Sequence, residues 1–98
     1  MKFFPVFHFT VSGSSMLPTL KSGQDILCFN WAYLFYGPKV GDIVVIRKNG
    51  KDMVKRIQKV HDREYFVEGD NNEGSTDSRS FGTVSRTEII GKVILVVR

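Results

Sequence analysis

The chain has 98 residues, 42% hydrophobic and 24% charged, with a formal net charge of +4. Those values suit a folded globular chain rather than a disordered one, and the length suits one domain, 1–98, with no room for a second. A single cysteine, Cys28, excludes an internal disulfide. Lysines and arginines are spread in runs of no more than two, with no RNP motif, no Cys/His finger and no phosphate-cradling glycine loop, which argues against nucleic acid as a partner.

The start, MKFFPVFHFTV, imitates a signal peptide, with a lysine before an apolar stretch. Pro5 and His8 interrupt it, so PVFHFTV (5–11) reads as a strand rich in aromatic and β-branched residues. A bilayer span needs about 20 mostly apolar residues. FFPVFHF and WAYLFY are both far shorter, so no transmembrane segment is expected in this sequence. Residues 12–23 read as a loop punctuated by Pro18 and Gly23, and DILCFN as a second strand. WAYLFYGPKVG reads as an aromatic loop or a short turn of helix. DIVVIRK and DMVKRIQKV flank Asn49-Gly50, a strong hairpin signal because both residues tolerate positive φ. EYFVEG is a further strand, residues 69–85 a polar loop, and IIGKVILVV a closing strand apolar on both faces. The expected fold is mainly β, built of compact, curled antiparallel sheets.

Side chains alternate faces along a strand. In KDMVKRIQKV one face carries Met53, Lys55 and Ile57, and the other Asp52, Val54, Arg56 and Gln58. Lys55 thus sits between apolar neighbours. It either snorkels past the sheet edge, lies on a solvated face, or is desolvated. A desolvated amine has a lowered pKa and serves as a general base, which a hydroxyl nucleophile requires. The serines of SGSSMLPTL (12–20) are the candidate hydroxyls, although a plain Ser/Thr turn looks the same.

SGSSMLPTL resembles the nucleophile segment S-M-x-P-T of type I signal peptidases and their mitochondrial and short bacterial relatives, the S26 family of Ser–Lys proteases. GDIVVIR, MVKRI, GDNNEGSTDSRSFG and the strand after Gly91 match further family blocks in order. The resemblance covers most of the chain from Ser12 to Val97 and implies the fold of the signal peptidase and LexA catalytic core.

By position it implies Ser15 as nucleophile, Lys55 as general base and Ser75 as the hydroxyl that orients the lysine. Arg56, Asp70, Asp77 and Arg79 become charged residues that hold the site's shape, paired as Asp70 with Arg56 and Asp77 with Arg79. The backbone N–H groups of Ser15 and Gly13 are oxyanion candidates. Many bacterial members carry a serine where this sequence has Gly13, so the second oxyanion donor is an open point. GQDI (23–26) also departs from the usual G-D-x-I order. Neither a cofactor nor a metal is implied: GDNNEGSTD fails the EF-hand pattern, since Ser75 stands where glycine is required, and His8, His61 and Cys28 have no metal-ligand spacing. A catalytic role for either histidine finds no local motif, though a triad is defined by geometry rather than spacing.

The implied function is a serine endopeptidase that removes signal or leader peptides from precursor proteins. Alternatives are a cytoplasmic maturation protease dedicated to one partner protein, a self-cleaving LexA-type domain, and a non-catalytic β module that binds peptide or membrane. Trp31, Tyr33, Leu34, Phe35 and Tyr36 are either core filling or a peripheral membrane contact; the resemblance favours the contact, and with it a membrane-associated location.

Overall fold

The computed structural model describes residues 6–30, 37–71 and 76–97. Seven strands form one antiparallel sheet that is not closed. They are β1 (Val6–Thr10), β2 (Asp25–Phe29), β3 (Ile43–Lys48), β4 (Lys51–His61), β5 (Glu64–Glu68), β6 (Val84–Ser85) and β7 (Ile89–Val96). Their order across the sheet is β1-β2-β7-β3-β4-β5-β6. The mainly-β expectation holds, and so do all six expected strand regions.

The β3–β4 turn is Asn49-Gly50, with φ of 54° and 79°, the left-handed conformation that this dipeptide favours. The β4–β5 turn, Asp62-Arg63, adopts positive φ without a glycine. β4 pairs with β3 over its first half, Ile43 opposite Arg56 and Lys48 opposite Lys51, and with β5 over its second half. β3 lies between β7 and β4, and Val44, Val45 and Ile46 are all fully buried. A strand covered on both faces reads as a continuous apolar run, as IVVI does.

The two faces carry separate cores. Val44, Ile46, Ile57, Tyr65, Val67, Val84 and Ile89 form one. Val11, Met16, Leu20, Ile26, Cys28, Val45 and Val54 form the other. β4 therefore sends Ile57 to one core and Val54 to the second. Lys55 lies on the strand between them.

Two readings of the sequence are revised. The expected polar loop 69–85 contains a helical turn, α1 (Ser78–Phe81), started by Asp77, whose carboxylate accepts the N–H of Arg79. Glycine-rich, polar composition hid a cap signal that only the buried Asp77 makes meaningful. The closing strand is buried only in its first half, and Ile94, Leu95, Val96 and Val97 are about half exposed. The aromatic segment Trp31–Tyr36 and Ser75 lie outside the described residues.

Candidate active site

The turn that carries Ser15 is fixed from below. Met16 and Leu20 are each 1% exposed and anchor it in the second core. Burying two such side chains is worth roughly 1.5–3 kcal/mol each. Local bonds tighten it: Leu17 N–H donates to Ser14 O at 3.1 Å and Leu20 N–H to Met16 O at 2.9 Å. Its two ends are tied where Gly23 N–H donates to Val11 O at 2.8 Å.

It is also held from across the molecule. Asn71 donates its backbone N–H to Ser15 O at 2.8 Å and its side-chain amide to Ser14 O at 3.0 Å. Thr19 donates to the Asp70 carboxylate at 2.5 Å. Asp70 in turn accepts two bonds from Arg56, at 2.9 and 2.8 Å. Arg56 also donates to Gly41 O at 3.0 Å. The Arg56 guanidinium, followed by the Thr19 hydroxyl, holds the Asp70 carboxyl below the usual carboxylate range.

Lys55 is 3% exposed, so the desolvated reading describes it and the solvated face does not. Its Nζ lies 3.0 Å from Ser15 Oγ. Among the described residues that hydroxyl is its one hydrogen-bond partner. Burial pulls the ammonium's pKa below its ordinary value; the nearby Asp77 charge opposes this and Arg79 adds to it. The physical cause is direct: a buried cation without a contacting carboxylate is poorly solvated, so the neutral amine gains.

Asp77 is fully buried and frames this corner. It accepts the Gly69 N–H at 2.9 Å and two bonds from the Arg79 side chain, at 3.0 and 2.6 Å. Beside it the buried Ser78 hydroxyl accepts the Val67 N–H at 2.8 Å, which joins α1 to β5.

A hollow of about 200 Å³ opens over the pair. The Ser12–Met16 turn and the Asp52–Lys55 segment of β4 form its walls, with Phe9 and Val11 beneath and Thr76 at one side. Ser15, Lys55, Arg56, Asp70, Asp77 and Arg79 are thus brought together as two ion pairs around the Ser15–Lys55 contact.

The Gly13 N–H donates to Ser22 Oγ at 3.2 Å, a bond within the turn. The Ser15 N–H donates to no described residue. His8 stands against Asp25 at 3.5 Å and His61 beside Asp62 at 3.9 Å; the Ser15 hydroxyl has Lys55 as its partner.

Asn71, Thr19 and Ser78 carry structure at the site and were not singled out from sequence. Asn71 stood inside the GDNN segment. The missing signal was distance: it reaches back 57 residues to Ser14.

The chain is also similar to known proteins. The family model for signal peptidase, peptidase S26, matches residues 1–58 and 57–98. Subunit 1 of the mitochondrial inner membrane protease of Xenopus tropicalis is 32% identical over 109 residues, which cover 88% of this chain and 65% of that protein. Subunit 1a of the mitochondrial ATP-independent inner membrane protease of Arabidopsis thaliana is 36% identical over 113 residues, covering 89% and 67%. Signal peptidase IB of Staphylococcus aureus is 27% identical over 146 residues, covering 92% and 76%. The chain spans about two thirds of the length of the mitochondrial relatives, 65% and 67%.

Proposed function

The chain belongs to the signal peptidase family, peptidase S26, and on that premise we propose that it is a serine endopeptidase, with residues 1–98 as one catalytic unit, that cuts signal or leader peptides from precursor proteins through a Ser15–Lys55 dyad. One observation carries the reading: a buried amine with a lowered pKa lies 3.0 Å from a hydroxyl on a rigid turn, at the wall of an open hollow.

In this reaction the neutral Lys55 amine takes the Ser15 proton as Oγ attacks the peptide carbonyl. The Ser15 N–H, which no described residue occupies, stabilises the oxyanion as it forms; losing such a donor typically costs about 3 kcal/mol. The Lys55 ammonium then protonates the leaving amine. Water, deprotonated by the same amine, releases the acyl group. By resemblance Ser75 orients Lys55, and Arg56, Asp70, Asp77 and Arg79 act as positioning residues. The substrate lies extended along the hollow beside β4. The apolar segment Trp31–Tyr36 is assigned a peripheral membrane contact by resemblance alone; among the described residues no helix is long and apolar enough to cross a membrane.

The test is mass spectrometry of protein N-termini in cells that carry the wild-type chain or Ser15→Ala. New N-termini after small residues that vanish in Ser15→Ala support the activity. Identical N-termini in both reject it.

A further inference from the structure

A second hollow, of about 350 Å³, adjoins the first and shares Phe9 and Asp52 with it. The proposed reaction uses only the end near Ser15. Phe7, Phe9 and Ile90, all partly buried against the second core, supply apolar lining. Phe7 settles deeply there because β7 carries Gly91: a Cβ at that position would lie 2.7 Å from the Phe7 ring. His8, Asn30, Arg47 and Asp52 supply the polar lining.

Arg47 and Asp52 face each other across the β3–β4 hairpin. Arg47 donates to both carboxylate oxygens, at 2.7 and 3.0 Å. The Arg47 side chain is nevertheless 60% exposed. A guanidinium gripped at two points is a fixed plane with its charge partly neutralised. An aromatic ring stacks well on such a plane, and an apolar lining rewards its burial.

Asp52 precedes Lys55 by three residues, about 10 Å along a strand that rises roughly 3.3 Å per residue. An extended peptide rises equally fast. A side chain about four or five residues from the cut therefore arrives at the second hollow.

We propose that this hollow is an extended substrate subsite that takes an aromatic side chain of the bound polypeptide, seated on Phe7, Phe9 and Ile90 and stacked against Arg47. The inference rests on the peptidase reading above, and its occupant is the substrate because the two hollows meet at shared wall residues, Phe9 and Asp52.

Two measurements separate its failure from that of the peptidase reading. The first is a positional scan of decapeptides around a small-residue core, each outer position set in turn to Phe, Leu, Asp or Gly. Wild type should favour Phe over Asp by at least about tenfold in kcat/KM at one position four or five residues from the cut, close to the discrimination one apolar contact gives. Arg47→Ala should shrink that ratio to about threefold or less. Ser15-dependent cleavage with a flat profile overturns the subsite and leaves the peptidase standing. The second measurement needs no turnover. Ser15→Ala protein should bind the Phe decapeptide more tightly than its Gly analogue, and Ser15→Ala/Arg47→Ala should lose the difference. Equal affinity of Ser15→Ala for both peptides overturns the subsite even if no cleavage is found.

Discussion

Asn71 holds the carbonyl of Ser15 with its backbone N–H, at 2.8 Å, and the carbonyl of Ser14 with its side chain, at 3.0 Å. One residue from a distant segment thus sets the height of Ser15 over Lys55. Asn71→Ala keeps the backbone bond and loses the side-chain bond. Its expected effect is a fall in kcat of about 10-fold with little change in KM, the pattern of lost transition-state alignment. Steady-state kinetics on a leader peptide check this. An unchanged kcat would remove Asn71 from the positioning set.

Ser15→Ala and Lys55→Ala should each lower cleavage by at least about 10³-fold, because the members of the proposed dyad would act as a unit. Circular dichroism and thermal melting should show that both remain folded. For Lys55, loss of the amine removes a poorly solvated group, so Lys55→Met should melt no lower than wild type.

The pH dependence follows from the lowered pKa of Lys55. In the proposed reaction the proton taker is the neutral amine, so kcat/KM should rise with pH and level off below the ordinary lysine value of 10.5. Stability carries the same sign. Between the folded and the unfolded pKa the unfolded chain binds the proton first, so the Lys55 contribution to folding stability rises with pH up to 10.5 and is flat above it. Lys55→Met should abolish that slope in urea titrations run across alkaline pH.

Asp70 shows the opposite end of the scale. Its pKa is lowered by Arg56 and then Thr19, so the stability it confers is complete above its ordinary value of 3.8 and is lost as pH falls through the lower folded value. Asp70→Asn should cost about 1–3 kcal/mol at neutral pH, because Arg56 loses a charged partner. It should also flatten the acid limb of a denaturation-midpoint profile.

Gly91→Ala tests packing alone. The new Cβ would press on the Phe7 ring at 2.7 Å. Overpacking of this kind costs about 1–3 kcal/mol. A lowered melting temperature is expected, with relief in the double variant Gly91→Ala/Phe7→Leu.

Much of the fold was legible because strand patterns and the Asn49-Gly50 turn are local. The Ser15–Lys55 pairing was legible for a different reason: Met16, Pro18 and Thr19 fix the register of one segment, and Met53 and Ile57 flank the lysine on one strand face. Alternation alone left Lys55 open between a solvated, a snorkelling and a buried state. Only the tertiary structure decided, because burial depends on both cores closing around β4. The same holds for Asn71, Gly13 and Asp77. Their partners are Ser15, Ser22 and Gly69, and nothing local predicts that Asn71 meets the Ser15 turn or that the Gly13 N–H donates to Ser22. Sequence pointed to Ser15 and Lys55 as a pair; chain folding determined their solvation and their contacts, since both are properties of the space that distant segments share.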